Sequence, residues 1–244
     1  IVKSFVRNKF LNFPININTI ENFFDVKLKS KKKAEIFLKS KKIRISSPKN
    51  SEEFILSKVG KELYENFYKN YSLKQWGIHP KFLDKNVLGR VPIRLNRNNY
   101  YVNEKMKFMP KNGYTAMFNE MISNRNITLK LNTDFMRVKD KINYKILIYT
   151  GPIDKYFNYK FGKLDWRSLK FKFETHKKNY LQDCVQYNYP NNFKFTRKVE
   201  IKHVTKQKIN YTVLSKEYPV ENGDPFYPIN TKKNLNLYSK YLKL

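Results

Sequence analysis

The sequence predicts an α+β fold in which a helical domain is joined to an antiparallel β-sheet domain. Apolar residues recur at three- and four-residue spacing as far as about residue 97, and beyond it they alternate with polar ones. Helices and strands therefore fall in separate blocks, unlike the regular βαβα alternation of a parallel sheet. The expected organisation is a hairpin of the sheet domain over residues 1–14, a helical domain over 15–97, the sheet domain over 98–230 and a C-terminal helix over 231–244.

In the first 14 residues IVKSFV and FLNFP read as two strands around a turn at Arg7-Asn8-Lys9. Asn18-Thr-Ile-Glu21 reads as a helix start, with Asn18 as the cap and Glu21 three residues on. Lys31–Leu38 is a second short helix, and Lys39–Asn50 is a loop. Ser51-Glu-Glu-Phe54 opens a stronger helix, with a capping serine and early acids that suit the positive end of the dipole. Phe54, Ile55, Val59, Leu63, Phe67 and Tyr68 form its apolar stripe, and Gly77 and Pro80 end it. Residues 80–95 read as loop or short helices, because Pro92 limits helix length.

Strands are expected over Asn99–Asn103, Met106–Met109, Ile127–Leu131 and Lys145–Tyr149, the last apolar enough to be buried. Gly113–Ser123 reads as a helix between them. Leu169–Phe173, Cys184–Tyr187, Lys198–Ile201 and Tyr211–Leu214 alternate as a half-exposed antiparallel sheet does. Asn234–Leu244 reads as a helix cut at its end.

Composition narrows the function. The net charge of +30 points to an anionic partner. However, 41 Lys accompany 9 Arg, 29 Asn and 2 Ala, spread along the chain, as A/T-rich codons would produce in any protein. Arg, Trp, Gly and Pro run against that drift, so their positions carry more information. Cys184 is alone, and His79, His176 and His203 show no ligand spacing, so no metal site is expected. The longest apolar runs are a few residues, too short to span a membrane. A reducing, cytoplasmic setting is the default. The chain starts without Met or an apolar signal segment, so it is expected to be cut from something longer. Its seven glycines are scattered singly, leaving no phosphate-cradling loop and no nucleophile elbow.

The ordered segments YENFYKNYSLKQWG, GRVPIRLNRNNYYVN, FMPKNGYTAMF, ILIYTGPIDKYFNYKFGKLDWRSLKF, QYNYPNNFKFTRKVEIKH and GDPFYPI together resemble the UDP-galactopyranose mutase family of bacterial flavoenzymes. The resemblance covers nearly the whole chain in the right order. It implies an FAD-dependent isomerase interconverting UDP-galactopyranose and UDP-galactofuranose through an adduct between reduced flavin N5 and the sugar. The nucleophile then belongs to the flavin, and no catalytic side chain is expected. The fold becomes a fragment of a Rossmann-type flavoprotein, with its main dinucleotide-binding part missing and residues of about 127–156 returning to the FAD-binding domain.

The resemblance also assigns residues. Phe67, Tyr68, Tyr71, Ser72 and Trp76 belong to a uridine pocket in the helical domain, and Asn188 faces the uracil. Packing alone is the competing account of Phe67 and Tyr68, which continue the apolar stripe, whereas Tyr71 and Trp76 lie past it. Arg90, on a loop, and Arg197 match arginines that meet the diphosphate, where planar guanidinium forks outperform lysine. Arg167 matches an arginine near flavin and sugar, a sugar-positioning role. Tyr101 matches a tyrosine at the diphosphate. Phe226 stands where the family has a tyrosine reaching the diphosphate, and losing such a bond to a charged group costs about 1.5–3 kcal/mol, so weaker UDP-sugar binding is expected. Its neighbour Tyr227 is the only nearby substitute, and strand neighbours point opposite ways. Asn132, Thr133, Thr150 and Gly151 are the edges left for FAD, the latter pair equally a strand-ending turn.

The resemblance implies a full-length homodimer that takes reduced FAD and UDP-sugars, with no membrane partner. These 244 residues themselves are expected to be an inactive fragment. The competing readings are a basic nucleic-acid-binding module and a non-catalytic relic of the mutase.

Overall fold

The computed structural model describes every residue except Asn103. The chain forms two compact units, Ile1–Lys105 with Asp165–Asn236, and Met106–Leu164 with Leu237–Leu244.

In the first unit β1 (Val2–Val6) and β2 (Lys9–Phe13) make the expected hairpin. Its two-residue loop is Arg7-Asn8, with φ of 50° and 59°, the left-handed pair whose twist matches that of the flanking strands. The sheet has seven strands in the order β2-β1-β4-β5-β6-β3-β7. The later strands are β3 (Trp166–His176), β4 (Gln186–Asn188), β5 (Arg197–Glu200), β6 (Thr212–Val220) and β7 (Tyr227–Pro228). Pairing is antiparallel throughout except between β1 and β4, which run parallel. That pair sets the N-terminal hairpin beside strands from the far half of the chain.

The helices of this unit that bear on the site are α1 (Ile17–Phe24), α2 (Lys31–Lys41), α3 (Ser51–Leu63), α4 (Asn70–Trp76) and α5 (Lys85–Gly89). The cap of α1 is Asn16, two residues before the expected Asn18. Asn16 Oδ1 accepts from the Thr19 amide at 3.0 Å, and the Asn16 amide donates to Thr19 Oγ1 at 3.2 Å. A threonine hydroxyl at the third position thus completes the reciprocal box that a glutamate was expected to close. Glu21 is free for other work, accepting from the Leu28 amide at 2.6 Å and pairing with Arg97 at 2.7 Å. Likewise Asn50 caps α3 by accepting from the Glu53 amide at 2.9 Å, and Ser51 lies inside the helix.

Hairpin and helices share one core, in which Val6 and Leu11 meet Ile20, Ile55, Leu63 and Phe67. Close packing of α2 on α3 needs a glycine. Gly60 sits at φ 81° and ψ 179°, and a Cβ there would lie 2.0 Å from the Lys41 carbonyl oxygen. On the sheet side, fully buried Glu200 accepts from the amides of Leu181 at 3.0 Å and Gln182 at 2.8 Å and from the Thr212 hydroxyl at 2.7 Å. Burial opposes its ionisation, but these hydrogen bonds on balance hold its pKa below the usual value.

In the second unit α6 (Gly113–Met121) forms as expected. The strands expected at Met106–Met109, Ile127–Leu131 and Lys145–Tyr149 do not form. A strand needs a neighbour to take its backbone hydrogen bonds, and no strand of the sheet falls among the described residues of this unit. The Lys145–Tyr149 run is open rather than buried, with Ile146 80% and Ile148 84% exposed. In the first unit Asn99–Val102 forms no strand either, and Asn103, the end of that expected strand, lies outside the described residues. The final helix spans Lys232–Tyr241.

Gly60→Ala is expected to lower stability by about 1–3 kcal/mol, the cost of holding a side chain in a glycine-only conformation, with the Lys41 contact adding to it. Thermal unfolding checks this. Because the folded pKa of Glu200 is depressed, its contribution is full above the unfolded value of about 4.3 and is lost as pH falls through the folded pKa. Glu200→Gln is expected to lower stability at pH 7 and to flatten the acid limb of the denaturation profile, as urea titrations at pH 3–7 would show.

Candidate functional site

The helical run after the kink at Gly60 is built to present one face. α3 passes into a π-helical turn at Tyr64–Lys69 and then into α4. The run stops at Gly77, whose left-handed φ of 71° lets its amide donate to the Leu73 carbonyl at 2.9 Å. Residues 67, 68, 71, 72, 75 and 76 are spaced to share a side of this run. That side borders a cavity of about 300 Å³ in the first unit.

Four elements line the cavity. The helical run contributes Phe67, Tyr68, Tyr71, Gln75 and Trp76, and the hairpin contributes Val2 and Phe13. Strands β4, β5 and β7 supply Gln186, Asn188, Arg197 and Tyr227. The α5 segment and the chain after it add Val87, Leu88, Arg90, Val91 and Tyr101. The register explains the strand wall: Gln186 is opposite Val2 on β1, and Asn188 is opposite Arg197 on β5.

One end of the cavity is aromatic and apolar. The Phe13 ring lies 5.9 Å from Tyr68 and 6.3 Å from Tyr101, and Phe67 stacks on Phe13 at 6.5 Å. At the other end Trp76 meets Tyr227 edge-on at 5.9 Å, and the Arg90 guanidinium stands 6.0 Å from the indole. Arg197, also on the cavity wall, pairs with Glu217 with Nε 3.0 Å from a carboxylate oxygen, but in a geometry that leaves the Nε–H without a hydrogen-bond acceptor. Burial works against the Arg197 charge, but Tyr71, Glu217 and Tyr227 raise its pKa on balance. Burial pushes Glu217 and Tyr71 up, against the pull of Arg197 in each case. The result is a half-buried cation beside a single carboxylate, a poor match for five guanidinium donors and a natural seat for a second anion.

Several polar atoms at or next to this cavity have no hydrogen-bond partner among the described residues, among them Tyr68 Oη, Ser72 Oγ, both amide atoms of Gln75 and Arg197 Nε. Asn188 is buried and its Oδ1 accepts from Gln186 Nε2 at 2.7 Å, which orients the carboxamide.

Of the residues expected at the UDP-sugar, Phe67, Tyr68, Tyr71, Trp76, Arg90, Tyr101, Asn188, Arg197 and Tyr227 border this one cavity. Ser72 is fully buried behind it. Phe226 does not line it; its ring packs edge-on against Phe171 at 5.8 Å. Arg167 does not line it either. It is buried, with Nε donating to the Gln75 carbonyl at 3.4 Å and Nη2 to the Lys74 carbonyl at 3.5 Å, so it closes the last turn of α4. Gln75, Gln186 and Glu217 were not found by sequence reasoning. Gln75 carried a faint signal, a polar residue on an otherwise aromatic face, whereas Glu217 is recognisable only from its cross-strand register with Arg197. Lys74 was also missed. Its ammonium donates to the carbonyls of Tyr189, Phe193 at 2.8 Å and Phe195 at 3.2 Å, tying the loop after Asn188 to α4, and burial pushes its pKa down to about 8.

Asn132, Thr133, Thr150 and Gly151 lie in the second unit. The Thr133 hydroxyl donates to the Leu131 carbonyl at 3.0 Å, and the Tyr149 hydroxyl stands 2.4 Å from where a Gly151 Cβ would sit. One donor is spent and the space above the glycine is filled, so these four residues do not fit a dinucleotide by themselves. No cluster of metal-ligating side chains occurs among the described residues, and no helix is long and apolar enough to cross a membrane.

Comparison with known proteins gives a consistent picture. A family model described as UDP-galactopyranose mutase matches residues 66–244. A probable UDP-galactopyranose mutase of Klebsiella pneumoniae is 36% identical over 249 residues, covering 100% of this chain and 64% of that protein. A dTDP-fucopyranose mutase of Escherichia coli is 30% identical over 251 residues, covering 98% of this chain and 66% of its own length. The chain therefore spans somewhat less than two thirds of these relatives. A crystal structure of reduced UDP-galactopyranose mutase superposes with a TM-score of 0.69 at 15% identity, over 98% of this chain and 69% of that one, which shows a shared fold. Cavity, fold and the match across residues 66–244 agree, and the chain belongs to the UDP-galactopyranose mutase family.

Proposed function

We propose that this chain is the nucleotide-sugar-binding part of a UDP-galactopyranose mutase, the isomerase that interconverts UDP-galactopyranose and UDP-galactofuranose. The observation that carries the proposal is one cavity lined both by aromatic side chains and by the guanidinium groups of Arg90 and Arg197. Aromatic faces suit a flat uracil. Asn188, its carboxamide oriented by Gln186, has donors left to read the base edge. Paired guanidiniums suit a diphosphate, with Glu217 setting the orientation of Arg197. Tyr101 and Tyr227 add phenol groups along the way. Arg167, holding the α4 turn that carries Trp76, would act on the sugar through that turn.

Reduced FAD is the cofactor that the family resemblance implies for the whole reaction, and the second unit is its expected neighbour. Because Asn132, Thr133, Thr150 and Gly151 do not form a cradle unaided, the proposal for the isolated chain is binding of the UDP-sugar without turnover. A cytoplasmic homodimer belongs to the same proposal for the full-length enzyme.

UDP titration should quench tryptophan fluorescence, and Trp76→Ala should remove most of that response. Arg197→Ala is expected to weaken UDP about ten- to hundredfold and Arg197→Lys to recover only part, as a charge-assisted hydrogen bond worth about 1.5–3 kcal/mol implies. Calorimetry measures both. A single-stranded oligonucleotide that displaced UDP at low salt would instead favour the nucleic-acid reading. Incubating the 244-residue chain with FAD and dithionite is expected to give no interconversion of UDP-galactofuranose, and turnover at an ordinary rate would reject the binding-only proposal.

A further inference from the structure

Gln75 stands apart from the other cavity residues. It is 4% exposed, and neither Oε1 nor Nε2 has a partner among the described residues. Leaving a buried carboxamide unpaired is costly, and such groups in native structures await a partner. The rest of the residue is well held: its carbonyl accepts from Arg167 Nε, and Gly77 ends the helix two positions on. Arg167 thus fixes the turn from which the amide projects.

Position and chemistry narrow the partner. Gln75 is eight residues, about two turns, beyond Phe67, and it adjoins Trp76, whose ring contacts are Tyr227 and Arg90 and not the Phe13, Phe67 and Tyr68 rings. A base seated on the rings around Phe13 would leave Gln75 to the groups attached beyond it. Phosphate oxygens only accept, and Arg90 and Arg197 already offer them charged donors. A carboxamide is neutral and presents an acceptor beside two donors in one plane. That pattern matches two adjacent hydroxyls, each able to donate and accept.

We propose that the Gln75 carboxamide hydrogen-bonds adjacent hydroxyls of the hexose, making it the residue by which the cavity tells a nucleotide-sugar from a bare nucleotide. The inference rests on the UDP-sugar reading of the cavity. A site built to hydrogen-bond a hydroxyl pair discriminates strongly, because the polar group goes unpaired when the hydroxyls are missing.

The test compares UDP with UDP-galactose by calorimetry on the 244-residue chain and on Gln75→Met and Gln75→Leu. Met keeps the length of the side chain without its hydrogen bonds, and Leu gives a second apolar replacement. The ratio of the UDP-galactose Kd to the UDP Kd should rise about tenfold in both variants. Thermal unfolding should be unchanged or raised, since an unpaired buried amide is removed. Equal losses for the two ligands, or no change in the ratio, would overturn the role of Gln75 while leaving the cavity reading intact. A wild-type chain that binds neither ligand would overturn both.

Discussion

The first unit depends on the packing of one helical run against the edge of a sheet. On either side of the kink at Gly60, Ile55, Val59 and Leu63 are buried in the core, and Tyr68 and Trp76 are carried toward the cavity. The β1–β2 hairpin supplies the opposing surface, and the parallel pairing of β1 with β4 brings Asn188 and Arg197 to the same place. Fully burying side chains of this size contributes about 1.5–3 kcal/mol each, so the core, not the helical propensity of an Asn- and Lys-rich segment, holds the run in place. The cavity is the part of that seam which side chains do not fill.

Charge is arranged around this seam with economy. Most of the 50 basic residues are solvated and say little about function. A few are buried or largely so and make specific contacts. Arg197 faces Glu217, Arg167 caps α4, and Lys74 ties the loop after Asn188 to that helix through backbone carbonyls. Removing a partner from such a buried cation leaves an uncompensated charge, which makes these contacts more specific than the surface pairs around them. Among the buried side-chain atoms without a hydrogen-bond partner, those of Tyr68, Ser72 and Gln75 recur at four- and three-residue spacing on the helical run, and Arg197 Nε faces the same cavity. A fold that leaves such a cluster of hydrogen-bonding groups open beside one cavity is arranged for a ligand.

The second unit follows other rules. Its apolar segments are strand-like in sequence but unpaired in structure, and Met106, Phe108, Ile146 and Ile148 are all more than three-quarters exposed. Exposed apolar surface on this scale is uncommon in a stable monomeric domain. It accords with the span of the chain, which reaches 64% and 66% of the length of its relatives.

Much of this was legible in the sequence. The hairpin, the helices after residue 15, the glycine stop at Gly77 and the later strands follow from period, caps and turn residues, which are local properties. The ordered motifs marked nine residues that border the cavity. What the sequence by itself did not determine is non-local. Which of two asparagines caps α1 is decided by the reach of Thr19, and Glu217 finds Arg197 only through strand register. An apolar run such as Lys145–Tyr149 becomes a strand only if another strand is there to bond it. Whether Arg167 points into the cavity or onto a helix end was likewise settled by tertiary structure, because a long side chain takes its direction from packing and not from its neighbours in sequence.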